Sequence, residues 1–204
     1  MAQTLKDDVR EKIIESAKEE FLKYGYEDSS MRRIASNSDM TVGNLYRYFQ
    51  NKEALNVEIV GPTYTLINNL VKKLTGNRID FASENWANSL KKDELQDMFS
   101  QLGNELVNIY LKHKIEFNIL MMHSKLNDEM IDWFTSMINQ YIVSNYPVEN
   151  LQQEVSILSK SFAVSIFDGL KVCFRSNSNE QQLRTVVNTY FKACIHILDL
   201  EISL

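Results

Sequence analysis

The chain has 204 residues, of which 44% are apolar and 24% charged, and its net charge is −5. These proportions are typical of a globular protein and exclude an intrinsically disordered chain. No run reaches the roughly 18 apolar residues of a membrane span, and the first ten residues lack the apolar segment of a signal peptide. The two cysteines and three histidines show no metal-binding spacing, so we expect a cytoplasmic protein without metal or cofactor.

The pattern of apolar residues predicts an all-α protein of about nine helices, because they recur at i, i+3 and i+4 while Gly and Pro are few. The first helix is predicted over residues 6–24 and ends at Gly25. Three further helices follow, and their predicted N-caps are Ser29 or Ser30, then Thr41, then Asn51.

The fourth helix begins at Lys52 and meets Gly61-Pro62, where proline predicts a kink or break. We expect residues 75–92 to form a loop with one short helix near Trp86. Beyond the loop, the apolar spacing predicts five helices, which cover residues 93–111, 114–124, 128–145, 155–173 and 183–198.

Residues 29–49 read as two short helices around a tight turn, which is the form of a helix-turn-helix. In that motif the second helix enters the major groove of DNA. Residues 29–52 carry four basic side chains against Asp39 alone, a local charge of +3 on an acidic chain. A solvated charged face without a partner fits this charge equally well, so it is the motif that favours DNA.

Each candidate contact has a chemical reason. The hydroxyl and free N–H groups at Thr41 suit phosphate, and Gly43 permits close approach to base edges. Arg47 suits guanine, Asn44 suits adenine or phosphate, and Val42 suits a thymine methyl group. Tyr48 and Lys52 are placed for phosphates, and Arg32 for a base or the backbone. The predicted DNA-binding residues are Ser30, Arg32, Thr41, Val42, Gly43, Asn44, Tyr46, Arg47, Tyr48 and Lys52.

This segment resembles the DNA-binding domain of the TetR family of ligand-responsive transcriptional regulators. The matching residues are Phe21, Gly25-Tyr26, Ser29-Ser30, Ile34-Ala35, the run from Gly43 to Phe49, and Lys52-Glu53-Ala54-Leu55. Two positions depart from the family pattern. Asp39 stands where the turn usually has glycine, although Asp tolerates left-handed geometry. Val42 stands where lysine is frequent, which leaves the operator sequence open.

The resemblance implies two domains: residues 1–52 for DNA binding, and residues 53–204 for effector binding and dimerisation. It implies a homodimer on a palindromic operator, with heads one helical turn of DNA apart. The expected dimer interface is Phe162, Ile166, Gly169, Leu170, Val187, Tyr190, Phe191 and Cys194. The same apolar stripes could instead fill the core of a monomer.

The middle helices are expected to enclose a pocket for a small, largely apolar effector. Its candidate residues are Phe99, Phe117, Asn118, Met121, His123, Trp133 and Met137, although core packing explains each of them as well. The leading hypothesis is a TetR-like repressor that is not an enzyme. A helical enzyme acting in the same pocket, and an interaction module that has lost DNA binding, are the alternatives.

Overall fold

The computed structural model describes residues 2–76, 79–80, 85–86, 90–122, 124–148, 150–176 and 179–199. These residues form nine α-helices and one short hairpin, which confirms the all-α prediction. The helices are α1 (Ala2–Asp28), α2 (Met31–Asn37), α3 (Val42–Leu45), α4 (Lys52–Thr75), α5 (Lys92–Lys112), α6 (Lys114–Met121), α7 (Ser124–Asn145), α8 (Gln152–Arg175) and α9 (Glu180–Asp199). None of the helices in these ranges has the length and hydropathy to cross a bilayer.

The chain divides into two compact units, which differ from the division predicted between residues 52 and 53. The first unit comprises residues 1–66 and 112–124, and the second comprises residues 67–111 and 125–204. The division falls inside α4, because that helix continues past its first turns without interruption. Residues 112–124 join the first unit because α6 packs on α1.

The first unit is built on α1, whose inner face buries Ile13, Ala17 and Phe21 completely. This i, i+4 row is the one that the sequence predicted. Gly25 has φ 75° and ψ 169°, so regular helical geometry stops there as expected. On α1, Lys18 pairs with Glu15 at 2.9 Å and with Glu116 of α6 at 3.3 Å. Apolar burial and this ion pair together attach α6 to α1.

The break at Gly61-Pro62, which the sequence predicted as the alternative to a kink, is wrong, because α4 is one helix with Pro62 inside it. Proline removes one backbone donor, and the buried side chains on both sides outweigh that loss. Ile59 and Val60 are 5% exposed and Ile67 is 1% exposed. Asn51 caps the helix as predicted, since its Oδ1 accepts from the backbone N of Ala54 at 2.7 Å.

In the second unit, β1 (Ile79–Asp80) and β2 (Asn85–Trp86) form an antiparallel hairpin. The short helix predicted near Trp86 is therefore wrong. The core of this unit is aromatic: the ring of Phe99 meets Phe191 edge-on at 4.8 Å and lies 6.0 Å from Phe134. Helices α8 and α9 pack on each other, and the Tyr190 hydroxyl of α9 donates to the Ser165 carbonyl of α8 at 2.7 Å.

Candidate nucleic-acid interface

The turn between α2 and α3 is stabilised by side chains on both sides. The buried Ser38 hydroxyl donates to the Ile34 carbonyl at 2.6 Å. Asp39 has φ 56°, the left-handed geometry expected where the family pattern has glycine. Lys12 of α1 lies 2.6 Å from the Asp39 carboxylate and lowers the pKa of that group. Asp39 therefore supplies the left-handed residue of the turn and, through its ion pair with Lys12, also connects the turn to α1.

Helix α3 is short, and its orientation follows from one cap and two buried side chains. The Thr41 hydroxyl accepts from the backbone N of Asn44 at 3.2 Å, which confirms the predicted cap. Leu45 is fully buried and Phe49 is 4% exposed, so both face the core. From α1, Arg10 lies 5.1 Å from the Phe49 ring and pairs with Glu58 at 2.8 Å. These contacts fix which face of α3 points outward.

The outward face carries most of the predicted DNA contacts. Arg32, Thr41, Gly43, Tyr46 and Arg47 are exposed. Three further members, which are Val42, Asn44 and Tyr48, are half-buried beside them. Within the described ranges, neither of the two arginines has an ion-pair or hydrogen-bond partner. Two unpaired guanidinium groups, one on α2 and one just after α3, are suited to the phosphates and base edges of a duplex.

The start of α2 is held by a residue that the sequence reading missed. Ser30 has the extended geometry of an N-cap, but its side chain makes no capping bond. The carboxylate of Glu20, which is 2% exposed, accepts instead from the backbone N of Ser30 at 2.9 Å. The same carboxylate accepts from Arg33 Nε at 2.6 Å and raises the pKa of that guanidinium. Glu20 lies on the buried face of α1, and no local sequence pattern connects it with Ser30, ten residues later.

Residues 13–59 match the family model described as bacterial regulatory proteins, tetR family. This segment of the chain is similar to the DNA-binding domain of the TetR family. The match covers α2, the turn, α3 and the start of α4, and thus the whole surface described above. Residues 13–59 accordingly contain a TetR-type helix-turn-helix domain. Among curated proteins, none matches the sequence.

A solved structure has a similar fold over nearly the whole chain. A TetR family transcriptional regulator from Chloroflexus aurantiacus has a TM-score of 0.50 at 11% identity, over 95% of this chain and 92% of that one. PfmR, a TetR family regulator from Thermus thermophilus, has a TM-score of 0.47 at 15% identity, over 90% and 97%. At such identities the likeness concerns the fold alone.

Lys52 is the member of the predicted set whose side chain is turned away from this surface. Its ammonium donates to the backbone carbonyls of Tyr26, Glu27 and Ser29, at 2.6, 3.0 and 3.2 Å. It also lies 4.5 Å from the centre of the Tyr26 ring. All three ammonium protons are used inside the TetR-type domain, so this geometry does not present Lys52 to a phosphate.

The predicted effector residues fall in both units. Phe117, Asn118 and Met121 lie on α6 in the first unit; Phe117 and Met121 are buried and Asn118 is half-buried. Phe99, Trp133 and Met137 belong to the second unit and are buried there. His123 lies outside the described residues. Core packing accounts for the apolar members, with one exception: the indole N–H of Trp133 is buried without a hydrogen-bond partner in the described part of the chain.

The predicted dimer residues are mostly covered by their own chain. Ile166, Leu170, Val187, Phe191 and Cys194 are at most 8% exposed in the single chain, and their place at a subunit interface stays a prediction. Gly169 and Tyr190 are half-buried where α8 packs on α9, and Phe162 is half-buried on α8. The exposed apolar side chains of the two helices are different ones, namely Ile157, Val164, Val172, Val186 and Ile197.

Proposed function

We propose that this protein is a TetR-family repressor that binds a palindromic operator as a homodimer and is released by a small, largely apolar effector. In this proposal, the outward face of α2 and α3 reads the DNA. Helices α8 and α9 pair two subunits, and the second unit receives the effector. Each part has its own structural support.

The DNA-binding part rests chiefly on the two unpaired guanidinium groups of Arg32 and Arg47. They lie on the exposed side of a helix-turn-helix whose inner side is fixed by Leu45 and Phe49. Solvated arginines on such a rigid element can donate to guanine or to phosphate without breaking any internal contact. Arg33, by contrast, is held by Glu20, which sets it apart from the contact set.

A gel-shift titration against the gene's own promoter region tests this surface. We expect Arg47→Ala and Tyr48→Ala each to weaken binding by about 1–3 kcal/mol, since each removes a DNA contact. Lys23→Ala is the matched control, because Lys23 is an exposed cation of the same domain on α1. Unchanged affinity in both Arg47→Ala and Tyr48→Ala, or an equal loss of affinity in Lys23→Ala, would contradict the proposed DNA-binding surface.

The homodimer is supported by the exposed apolar side chains of α8 and α9. Ile157, Val164 and Val172 follow one another at intervals of seven and eight residues, so they share one face of α8. Val186 and Ile197 lie eleven residues apart on one face of α9. Ile157 is 67% exposed and Val172 is 70% exposed. A second subunit that covers these stripes would remove apolar surface from water.

The effector part is supported by Trp133. An indole N–H buried without an acceptor costs about 1–3 kcal/mol, and a ligand oxygen would recover it. The surrounding rings are apolar, since Trp133 meets Phe134 at 4.8 Å. We therefore expect an apolar effector with one acceptor oxygen near the Trp133 ring.

This expectation is tested by thermal shift with pairs of apolar compounds that differ in one acceptor oxygen. The oxygen-bearing member should raise the melting temperature of the wild type and should release DNA. Trp133→Phe should respond equally to both members, because phenylalanine has no N–H to donate. Equal responses in the wild type would exclude this role of Trp133.

A further inference from the structure

The first residue of α4 holds the connection between α1 and α2. Lys52 has three ammonium protons, and each has a backbone carbonyl as its acceptor, on Tyr26, Glu27 and Ser29. These three carbonyls belong to the segment that follows the break in α1 at Gly25. One side chain thus fixes both ends of a four-residue segment, 26–29.

The neighbouring contacts strengthen the same attachment. The Tyr26 hydroxyl donates to Glu53 at 2.6 Å, and Glu53 is the second residue of α4. The Tyr26 ring lies under the Lys52 ammonium. Within the segment, the Ser29 hydroxyl donates to the Tyr26 carbonyl at 2.6 Å. The hydrogen bonds of the Lys52 ammonium and of the Glu53 carboxylate are charge-assisted, and such bonds are about twice as strong as neutral ones.

The segment leads directly to the DNA-facing part of α2. Ser30 is the N-cap residue of α2, and Arg32 is the second residue of that helix. A shift of residues 26–29 would therefore move the N-terminus of α2 and the unpaired guanidinium of Arg32. If Lys52 turned to a phosphate, it would leave all three carbonyls without their charged donor.

We propose that Lys52 is a positioning residue for DNA binding: it seats the N-terminus of α2, and through it Arg32, without contacting phosphate itself. The inference rests on the proposed DNA-binding function, and it assigns to Lys52 a role different from the phosphate contact that the sequence indicated. The two roles differ in their salt dependence, because a direct contact releases a counterion and a positioning contact does not.

The test measures operator affinity over a salt series for wild type, Lys52→Met and Arg47→Gln. Removal of a direct phosphate contact lowers the slope of log affinity against log salt by about one. Lys52→Met should lose about tenfold in affinity with an unchanged slope, while the Lys23→Met control keeps both. A slope lowered by about one, or an unchanged affinity, in Lys52→Met would overturn the proposal.

A double-mutant cycle with Arg32→Gln separates positioning from a general loss of stability. Because Lys52 acts through Arg32, the loss caused by Arg32→Gln should be clearly smaller in the Lys52→Met background. Strictly additive losses would overturn the proposal. If neither Arg32→Gln nor Arg47→Gln changed affinity, the DNA-binding surface itself would be wrong, and the inference would fall with it.

Circular dichroism shows whether Lys52→Met is folded under the binding conditions. Should it not fold, Tyr26→Phe replaces it in both experiments, since this change removes the hydroxyl that donates to Glu53. We then expect a smaller loss of affinity, again at an unchanged salt slope and again coupled to Arg32. Affinity equal to wild type in Tyr26→Phe would contradict the proposal.

Discussion

Several residues that the sequence assigned to a contact with another molecule instead make contacts within their own chain. Gly169 and Tyr190 are such a pair, because both were expected at a subunit interface. The structure uses them inside one chain: a Cβ at Gly169 would overlap the ring and hydroxyl of Tyr190. Burial raises the pKa of this phenol, whose hydroxyl donates to the carbonyls of Ser165 and Ile166. Glycine at 169 therefore allows α8 and α9 to pack closely.

This contact predicts the effect of Gly169→Ala. The added methyl group must displace the Tyr190 ring and its hydrogen bonds, which should lower the free energy of unfolding by about 1–3 kcal/mol. Gly43→Ala is the matched control for stability, since a Cβ at that helical position meets nothing within 4 Å. The control should be neutral or slightly stabilising. Chemical denaturation checks both, and equal losses in the two variants would refute the account of Gly169.

At the scale of elements, the sequence correctly predicted those helix ends that depend on residues nearby in the chain. The stop of α1 at Gly25 and the caps Thr41 and Asn51 depend on neighbours in sequence, and all three are confirmed. The start of α2 depends on Glu20, ten residues before Ser30, and no local pattern shows that contact. In the same way, Pro62 predicted a break because its cost is local, whereas the burial that offsets it is tertiary.

Helices α8 and α9 show a related limit. Their periodicity revealed two apolar stripes, but it could not tell which stripe a neighbouring helix covers. Five of the eight predicted interface residues are buried within the chain, while Ile157, Val172 and Ile197 are exposed. The exposure of the predicted DNA-binding residues was easier to predict, because the motif places them on the outside of a helix whose inner side chains are apolar. The exception is Lys52, whose carbonyl acceptors lie more than twenty residues earlier.

The exposed stripe makes a prediction about assembly. Val172→Glu should shift the protein from dimer to monomer, because burying an unpaired carboxylate at an interface costs about 2 kcal/mol or more. Val143→Glu, at a 51% exposed position of α7, is the control and should leave the dimer intact. Light scattering coupled to size-exclusion chromatography measures the mass. A dimer that persists in Val172→Glu would show that this face of α8 is not the interface.

The whole molecule joins a basic surface to an acidic chain. Exposed Arg32 and Arg47 mark one face of the first unit, while the net charge of the chain is −5. Repulsion between the acidic remainder and a polyanion favours an approach in which only that face meets DNA. A symmetric pair of such faces would read the same half-site twice, in opposite directions.

The most direct measurement is selection of binding sequences from a random pool of double-stranded DNA. Wild-type protein should enrich one palindromic sequence whose half-sites are about one helical turn apart. Protein carrying both Arg32→Gln and Arg47→Gln should enrich none, although it remains folded. A pool that stays random with wild-type protein would contradict the account, as would enrichment that survives the double substitution.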